Sequence, residues 1–261
     1  MADDLIDRTV LRGKNPPLSI RAVLRRSALV RQTAWHHHAQ GQLIGTLTGA
    51  IRIETDAGAW VVPTIHAVWV PPLHDHALQS NGPFEGWSVY IPPALCAGLP
   101  TSPQVIVASD VLRAAITRAA TWPDGPQSDA QHRLAQVIMD EIAAAQKVSF
   151  HLPAPRDARL QRIARQITID LADNRTMVQW ADWAGIAPRT LSRHFAAETG
   201  FTFQAWRQRA RLLAALEMLA SGLAVTTVAL DLGYDNISAF IAAFKKTFGV
   251  TPGRHHDIQA L

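Results

Sequence analysis

The 261-residue sequence predicts an α+β protein with a β-barrel or sandwich in its front part and an all-helical domain at its back. Three patterns indicate this class. Short strands separated by turn residues fill 18–92, and a helical period replaces them after Val105. Two segments of the back part also resemble each other at a separation of 48 to 49 residues.

Composition excludes several classes of protein. Hydrophobic residues make up 48% of the chain and charged residues 18%, so the chain can bury a core. The single cysteine, Cys96, excludes a disulfide framework and a zinc site built from thiolates. The N-terminus lacks the apolar segment of a secretory signal, and no run of about 18 apolar residues predicts a membrane helix. We therefore expect a soluble cytoplasmic protein with no membrane partner.

Positive charge is concentrated in the back part. Residues 1–155 hold 12 basic and 12 acidic side chains, whereas 156–254 hold 13 and 8. This balance of +5 favours a polyanionic partner such as double-stranded DNA. A merely solvated surface is the alternative explanation for the same charge.

The front part contains strands in quick succession. The sequence predicts strands at 43–49, 51–55, 60–63 and 67–72, and turn residues such as those at 80–83 separate such segments. Closely spaced strands without helices between them are typical of a sandwich or barrel. We place this β-domain at 1–105.

Helices replace strands along the rest of the chain. We predict helices at 110–121 and 128–147 within a helical segment at 106–148, then a proline-containing linker at 149–157. The two helices either dimerise the protein or cover the barrel. The remaining residues, 158–261, form the all-helical domain.

The duplicated segments, 184–200 and 232–249, predict two helix-turn-helix units. In each, a short helix ends at a glycine and a second helix runs to another glycine. Leu191 and Phe195 share one face of the first unit's second helix, as Phe240 and Phe244 do in the second unit, and these faces are predicted to be core. The opposite faces are predicted to meet DNA. The expected DNA-binding residues are Arg189, Thr190, Ser192, Arg193, Asn236, Ser238, Ala242, Lys245 and Lys246.

The stretch from Val225 to Pro252 closely resembles the signature of the AraC/XylS family of bacterial transcription regulators. The resemblance implies a sequence-specific regulator that binds operator DNA, with an N-terminal effector-binding domain, a homodimer, and RNA polymerase as a candidate partner. Two positions depart from the family pattern. Ala187 replaces a helix-capping Ser, and Ala242 replaces an Arg found in many members, so the second unit is expected to read sequence weakly.

Six of the eleven histidines lie within residues 36–76. The spacing His36-x-His38-x3-Gln42-x6-Gly49 resembles the first motif of the cupin family, with Gln where metal-binding cupins usually have Glu. Residues 58–63 and 70–76 resemble the second motif, in which a His closes the site.

The alternation of His36 and His38 on one strand predicts that both side chains share a face. With Gln42 and His76 they are expected to hold a divalent transition metal, namely Zn, Ni, Fe or Mn. The alternative is a metal-free pocket for an organic effector, with His36, His38, Gln42, His76, Trp35 and Trp69 as its expected contacts. His37 is expected to be exposed, and no role is assigned to His66 or His74.

Two other functions compete with the ligand-responsive regulator. One is a metal-dependent cupin enzyme tethered to a DNA-binding tail, although no nucleophile elbow, phosphate-binding glycine loop or carboxylate pair accompanies the histidines. The other is an architectural DNA-binding protein without an effector, whose affinity would ignore sequence and fall steeply with salt.

Overall fold

The computed structural model describes residues 19–123, 125–148 and 150–254, which divide into two units. The front unit comprises the described parts of 1–55 and 60–151, and the back unit comprises 56–59 and the described parts of 152–261. Within the described ranges, no helix combines the length and apolar content that a membrane span requires.

Eleven strands are described, and they form two sheets. The strands are β1 (Arg21–Ser27), β2 (Arg31–Gln32), β3 (Gly41–Thr48), β4 (Ala50–Thr55), β5 (Gly58–Pro63), β6 (His66–Val70), β7 (His76–Ser80), β8 (Phe84–Ile91), β9 (Gln104–Val107), β10 (Lys147–Val148) and β11 (His151–Pro153). The first sheet has the order β1-β8-β3-β6-β9-β10, and the second has the order β11-β5-β4-β7-β2.

The two sheets face each other through β3. Thr46 donates a hydrogen bond to the carbonyl of Val62 on β5, and Gln42 contacts His76 on β7. Gln42 is centrally placed, because it pairs with Val70 of β6 on one side and with Tyr90 of β8 on the other. Alternation along β3 therefore turns Gln42 and Thr46 toward the second sheet and Leu43 away from it.

Two helices cover the outer face of the first sheet. They are α1 (Asp110–Ala119) and α2 (Asp129–Ala144). Leu112 and Ile116 of α1, with Ile138 of α2, pack in one buried cluster with Leu43 and Trp87 of the sheet. The apolar faces of both helices thus cover the sheet, which was one of the two alternatives for this segment.

Two predicted boundaries are wrong. The helical segment expected from 106 begins inside β9, and β10 follows the helices and pairs with β9. The linker expected at 149–157 contains β11, which lies beside β5 in the second sheet. Strands of two to four residues are too short to show a hydrophobic alternation in the sequence.

The back unit contains six described helices: α3 (Ala158–Ile169), α4 (Met177–Ala184), α5 (Pro188–Thr199), α6 (Phe203–Ala220), α7 (Val225–Asp231) and α8 (Ile237–Phe248). The long helix α6 joins the two helix-turn-helix pairs, α4–α5 and α7–α8. Its Arg207 donates to the carbonyls of Asp173 and Arg175 in the loop before α4. Its Arg211 donates to the carbonyls of Leu171 and Gly233 and so links that loop to the turn after α7.

Candidate functional site

Three histidine side chains converge at one end of the front unit. One ring nitrogen of each of His36, His38 and His76 lies within 4.8 Å of the other two. His38 is 5% exposed, His76 is 1% exposed and His36 is half-buried, so the cluster approaches the surface at His36. The spacing of the histidines therefore predicted their convergence correctly.

The backbone that holds His36 and His38 is not the regular strand that the sequence suggested. Between β2 and β3 the chain forms only an isolated bridge, in which His36 and His76 exchange backbone hydrogen bonds of 3.0 and 2.8 Å. His37, the residue between the two ligand candidates, points away, and its Nδ1 lies within hydrogen-bond distance of Asp75 Oδ1, at 2.8 Å. Its side chain is 59% exposed, as predicted.

Backbone carbonyls fix the orientation of all three imidazole rings. The Nδ1 atoms of His36, His38 and His76 lie 2.9, 2.7 and 2.8 Å from the carbonyl oxygens of Ala34, Gln40 and His74. A carbonyl only accepts hydrogen bonds, so each Nδ1 must carry the proton and each neutral ring presents an unprotonated Nε2.

Gln42 turns its amide oxygen toward two of these nitrogens. Gln42 Oε1 lies 3.0 Å from His38 Nε2 and 3.2 Å from His76 Nε2, while its Nε2 donates to Ser88 Oγ. Burial lowers the pKa of His38 and lowers that of His76 to about 4, so both rings are neutral near pH 7. Three hydrogen-bond acceptors therefore face one another without a proton between them.

Two arrangements relieve this conflict. A cation among the four side chains would use the lone pairs of the nitrogens and of the amide oxygen. Alternatively, a reversed Gln42 amide would donate to both histidines and accept from Ser88. The donor set fits a divalent transition ion, because imidazole nitrogens bound to one Zn²⁺ lie about 3.3 Å apart and small side-chain rotations would close the cluster.

Not all of the expected pocket residues join this cluster. Trp69 is fully buried on the opposite face of the first sheet, where it packs in the cluster under α1 and α2 and donates to the carbonyl of Pro100. The prediction that Trp69 lines the histidine pocket is wrong. Successive side chains of β6 face opposite sides of the sheet, so Trp69 faces away from the side that carries Val68 and Val70. Trp35 lies next to His36 and is 54% exposed.

The two histidines left unassigned have separate surroundings. His66 is buried at the far end of β6 from Val70, and its ring packs edge-on against Phe150 at 4.6 Å. His74 is half-buried, and its carbonyl holds the ring of His76.

Sequence analysis did not select Ser88 or Tyr90 as site residues. Ser88 binds the Gln42 amide, and the Tyr90 ring lies 5.6 Å from that of His38. Their two-residue spacing on β8 was the only available signal.

The second helix of each helix-turn-helix unit has one buried and one exposed face. Leu191 and Phe195 of α5 and Phe240 and Phe244 of α8 are fully buried, as predicted. Among the expected DNA-binding residues Thr190 is half-buried, and the exposed ones are Arg189, Ser192, Arg193, Asn236, Ser238, Ala242, Lys245 and Lys246. The exposed face of α5 thus carries two guanidinium groups, whereas that of α8 carries a methyl group between Ser238 and its lysines.

Local sequence explains how the two helices begin. Asn236 caps α8, because its side chain accepts a hydrogen bond from the backbone N–H of Ser238. Ala187 provides no side-chain cap for α5, as predicted, but Pro188 at the first turn needs no backbone acceptor.

Comparisons with known proteins agree with this arrangement. Residues 180–256 match the model of a helix-turn-helix domain family. The chain is 33% identical over 221 residues to the HTH-type transcriptional regulator NimR of Escherichia coli K12, covering 84% of this chain and 81% of that protein. It is 35% identical over 101 residues to the HTH-type transcriptional regulator RipA of Corynebacterium glutamicum, covering 39% of this chain and 30% of RipA.

A structure of ToxT from Vibrio cholerae is a weaker match, with a TM-score of 0.40 and 10% identity over 92% of this chain and 98% of that chain. Both relatives named above are transcriptional regulators, which favours regulation over the tethered enzyme.

Proposed function

Because the chain belongs to the AraC/XylS family of helix-turn-helix transcriptional regulators, we propose that its front unit senses a divalent transition metal and that its back unit reads operator DNA. The metal ligands are His36, His38, Gln42 and His76, and the ion is Zn, Ni, Fe or Mn. Metal binding shifts the population of DNA-competent states, because the ion binds one state more tightly than the other.

One observation carries the metal proposal. Backbone carbonyls hold the three Nδ1 protons, so each Nε2 keeps its lone pair, and those of His38 and His76 lie against the Gln42 oxygen. One ring nitrogen of His36 lies within 4.8 Å of a ring nitrogen of each of the other two histidines. Backbone carbonyls that orient metal-binding imidazoles are a regular feature of metal sites. When bound, the ion supplies a compact positive charge there, and the chain's own residues supply the orientation.

Two neighbouring histidines offer a matched test of this site. Full-length protein stripped with a chelator is titrated with Zn²⁺ and with Ni²⁺ by calorimetry. The wild type and His37→Ala are expected to bind one ion per chain, and His36→Ala is expected to lose at least about tenfold in affinity. Equal affinities in all three proteins would overturn the assignment of the ligands.

DNA recognition is proposed to be unequal between the two units. Arg189 and Arg193 of α5 contact base edges and phosphates, while α8 contributes methyl contacts through Ala242 and phosphate contacts through Lys245 and Lys246. Sequencing of the genomic fragments that the protein retains at physiological salt tests this. A few sharp sites are expected, and a featureless spread with the metal-loaded protein would favour the architectural alternative.

A homodimer and contact with RNA polymerase belong to the same proposal. The side of α2 that faces away from the sheet includes Val137, which is 38% exposed and available for self-association. Sedimentation of the full chain at micromolar concentration is expected to give a dimer, and a monomer at all concentrations would refute this part.

A further inference from the structure

The histidine cluster is unusual for a metal site in that none of its donors carries a charge. His36, His38 and His76 are imidazoles, and Gln42 is an amide. Among the described residues of the front unit, the buried polar side chains are serine, threonine, glutamine and histidine, and none is an acid. The protein itself therefore leaves a divalent ion at this site with both of its positive charges.

Two carboxylates flank the cluster in sequence or on a neighbouring strand, and neither belongs to the group of possible ligands. Asp75 interacts electrostatically with His76, but its side chain is 67% exposed to solvent and hydrogen-bonds to His37. Glu54 on β4 lies between the buried residues Ile53 and Thr55, so alternation turns it to the other face of the strand.

A doubly charged ion that loses water without gaining an anion pays a large desolvation cost. Its remaining coordination positions therefore favour a negatively charged ligand. His36, the half-buried member of the cluster, lies where such a ligand could enter from solvent.

We propose that the neutrality of Gln42 makes this centre a receptor for a small anion, which binds together with the metal and is the effector of the regulator. The inference rests on the proposed metal site and specifies its ligand class. A neutral effector of the same shape is disfavoured by the same argument, because it leaves the charge of the ion uncompensated.

The test uses the full-length chain loaded with Co²⁺, whose visible absorption responds to a change of ligand, in a chloride-free buffer. Oxalate is the anionic probe, and oxamide is the neutral probe of similar shape. Oxalate is expected to change the spectrum saturably and to bind at least about tenfold more tightly than oxamide. The metal-free protein is expected to bind neither probe.

Two variants identify the residue responsible. Gln42→Glu places a carboxylate at the site, and we expect tighter Co²⁺ binding and at least about tenfold weaker oxalate binding. Gln79→Glu adds the same charge at a half-exposed position of β7, and both affinities are expected to stay within about twofold of the wild type.

The outcomes separate this inference from the metal proposal. If Co²⁺ binds through His36 but oxalate and oxamide bind alike, the anion receptor is refuted and the metal sensor stands. If Gln42→Glu and Gln79→Glu weaken oxalate equally, the role of Gln42 is refuted. If Co²⁺ binding does not depend on His36, the metal proposal itself fails. If Gln42→Glu does not fold, the comparison of oxalate with oxamide on the wild type still decides.

Discussion

The two helix-turn-helix units contain equivalent turn glycines with nearly the same backbone but different surroundings. Gly185 has φ +68° and Gly233 has φ +72°, both in the left-handed region. A Cβ at Gly185 would meet nothing within 4 Å, whereas at Gly233 it would lie 2.9 Å from the Cα of Ala172 and 3.1 Å from its carbonyl oxygen. The duplication thus provides a matched pair of sites for measuring a steric cost.

The expected costs follow from these distances. Alanine in the left-handed region costs about 1–2 kcal/mol, and this is the whole penalty expected for Gly185→Ala. Gly233→Ala carries the same strain plus an overpacking cost of about 1–3 kcal/mol, because two of the three nearest atoms belong to the backbone of Ala172 and the third is Nη2 of Arg211. The total for Gly233→Ala is therefore about 2–5 kcal/mol.

Urea unfolding of the full chain, followed by far-ultraviolet circular dichroism, measures both variants. The signal reports mainly on the back unit, which contains six of the eight described α-helices. Gly233→Ala is expected to be the less stable variant by at least about 1 kcal/mol. Equal losses, or a larger loss for Gly185→Ala, would refute the claim that the contact with Ala172 determines the difference.

Three further predictions concern the back unit. Arg193→Ala is expected to weaken operator binding by about 1–3 kcal/mol and to relax sequence specificity at one base position. Arg165→Ala on α3 removes the same charge and should leave specificity unchanged. Selection of bound DNA sequences from a random pool distinguishes the two variants. Ala242→Arg is expected to raise the affinity for operator DNA and for random DNA alike, and a salt titration with both duplexes measures the two gains. A larger gain for the operator would contradict this prediction. Hydrogen bonding to Arg175 lowers the pKa of Asp173 in the folded state, so its contribution to stability is present above the unfolded pKa of about 3.9 and is lost as pH falls through the lower folded value. Asp173→Asn should therefore lower the unfolding free energy at neutral pH. If the difference in unfolding free energy between wild type and variant did not become smaller in acid, the hydrogen bonding to Arg175 would not be its cause.

The histidine cluster could be predicted from the sequence because spacing carried most of the information. The resemblance of the His36-to-Gln42 interval, and of the segment ending at His76, to the two cupin motifs implied four side chains at one place, and the structure brings them together. The orientation of the rings could not be predicted, since it depends on the carbonyls of Ala34, Gln40 and His74, and backbone carbonyls leave no trace in residue identity.

The sequence predictions were wrong where the side of a strand was misjudged or where a strand was too short to show a pattern. Trp69 was placed in the pocket because it lies near the histidine-bearing strands, although successive residues on a strand face opposite sides of the sheet. The strands at 147–148 and 151–153 escaped notice because so few residues show no period. In contrast, the helices of the back unit were predictable, since the turn glycines and the core residues Phe195 and Phe244 repeat at a separation of 48 to 49 residues.

In the proposed mode of DNA recognition, the unequal exposed faces of α5 and α8 give each chain a direction on DNA. One chain presents a helix with exposed guanidinium groups and a helix with an exposed methyl group in a fixed order. The DNA segment that one chain binds is therefore not a palindrome. If such a site were inverted relative to a promoter, it would contain the same bases. The part of the site that α5 contacts would then point the other way along the DNA. Orientation, as well as distance, would then distinguish a productive site from an inert one.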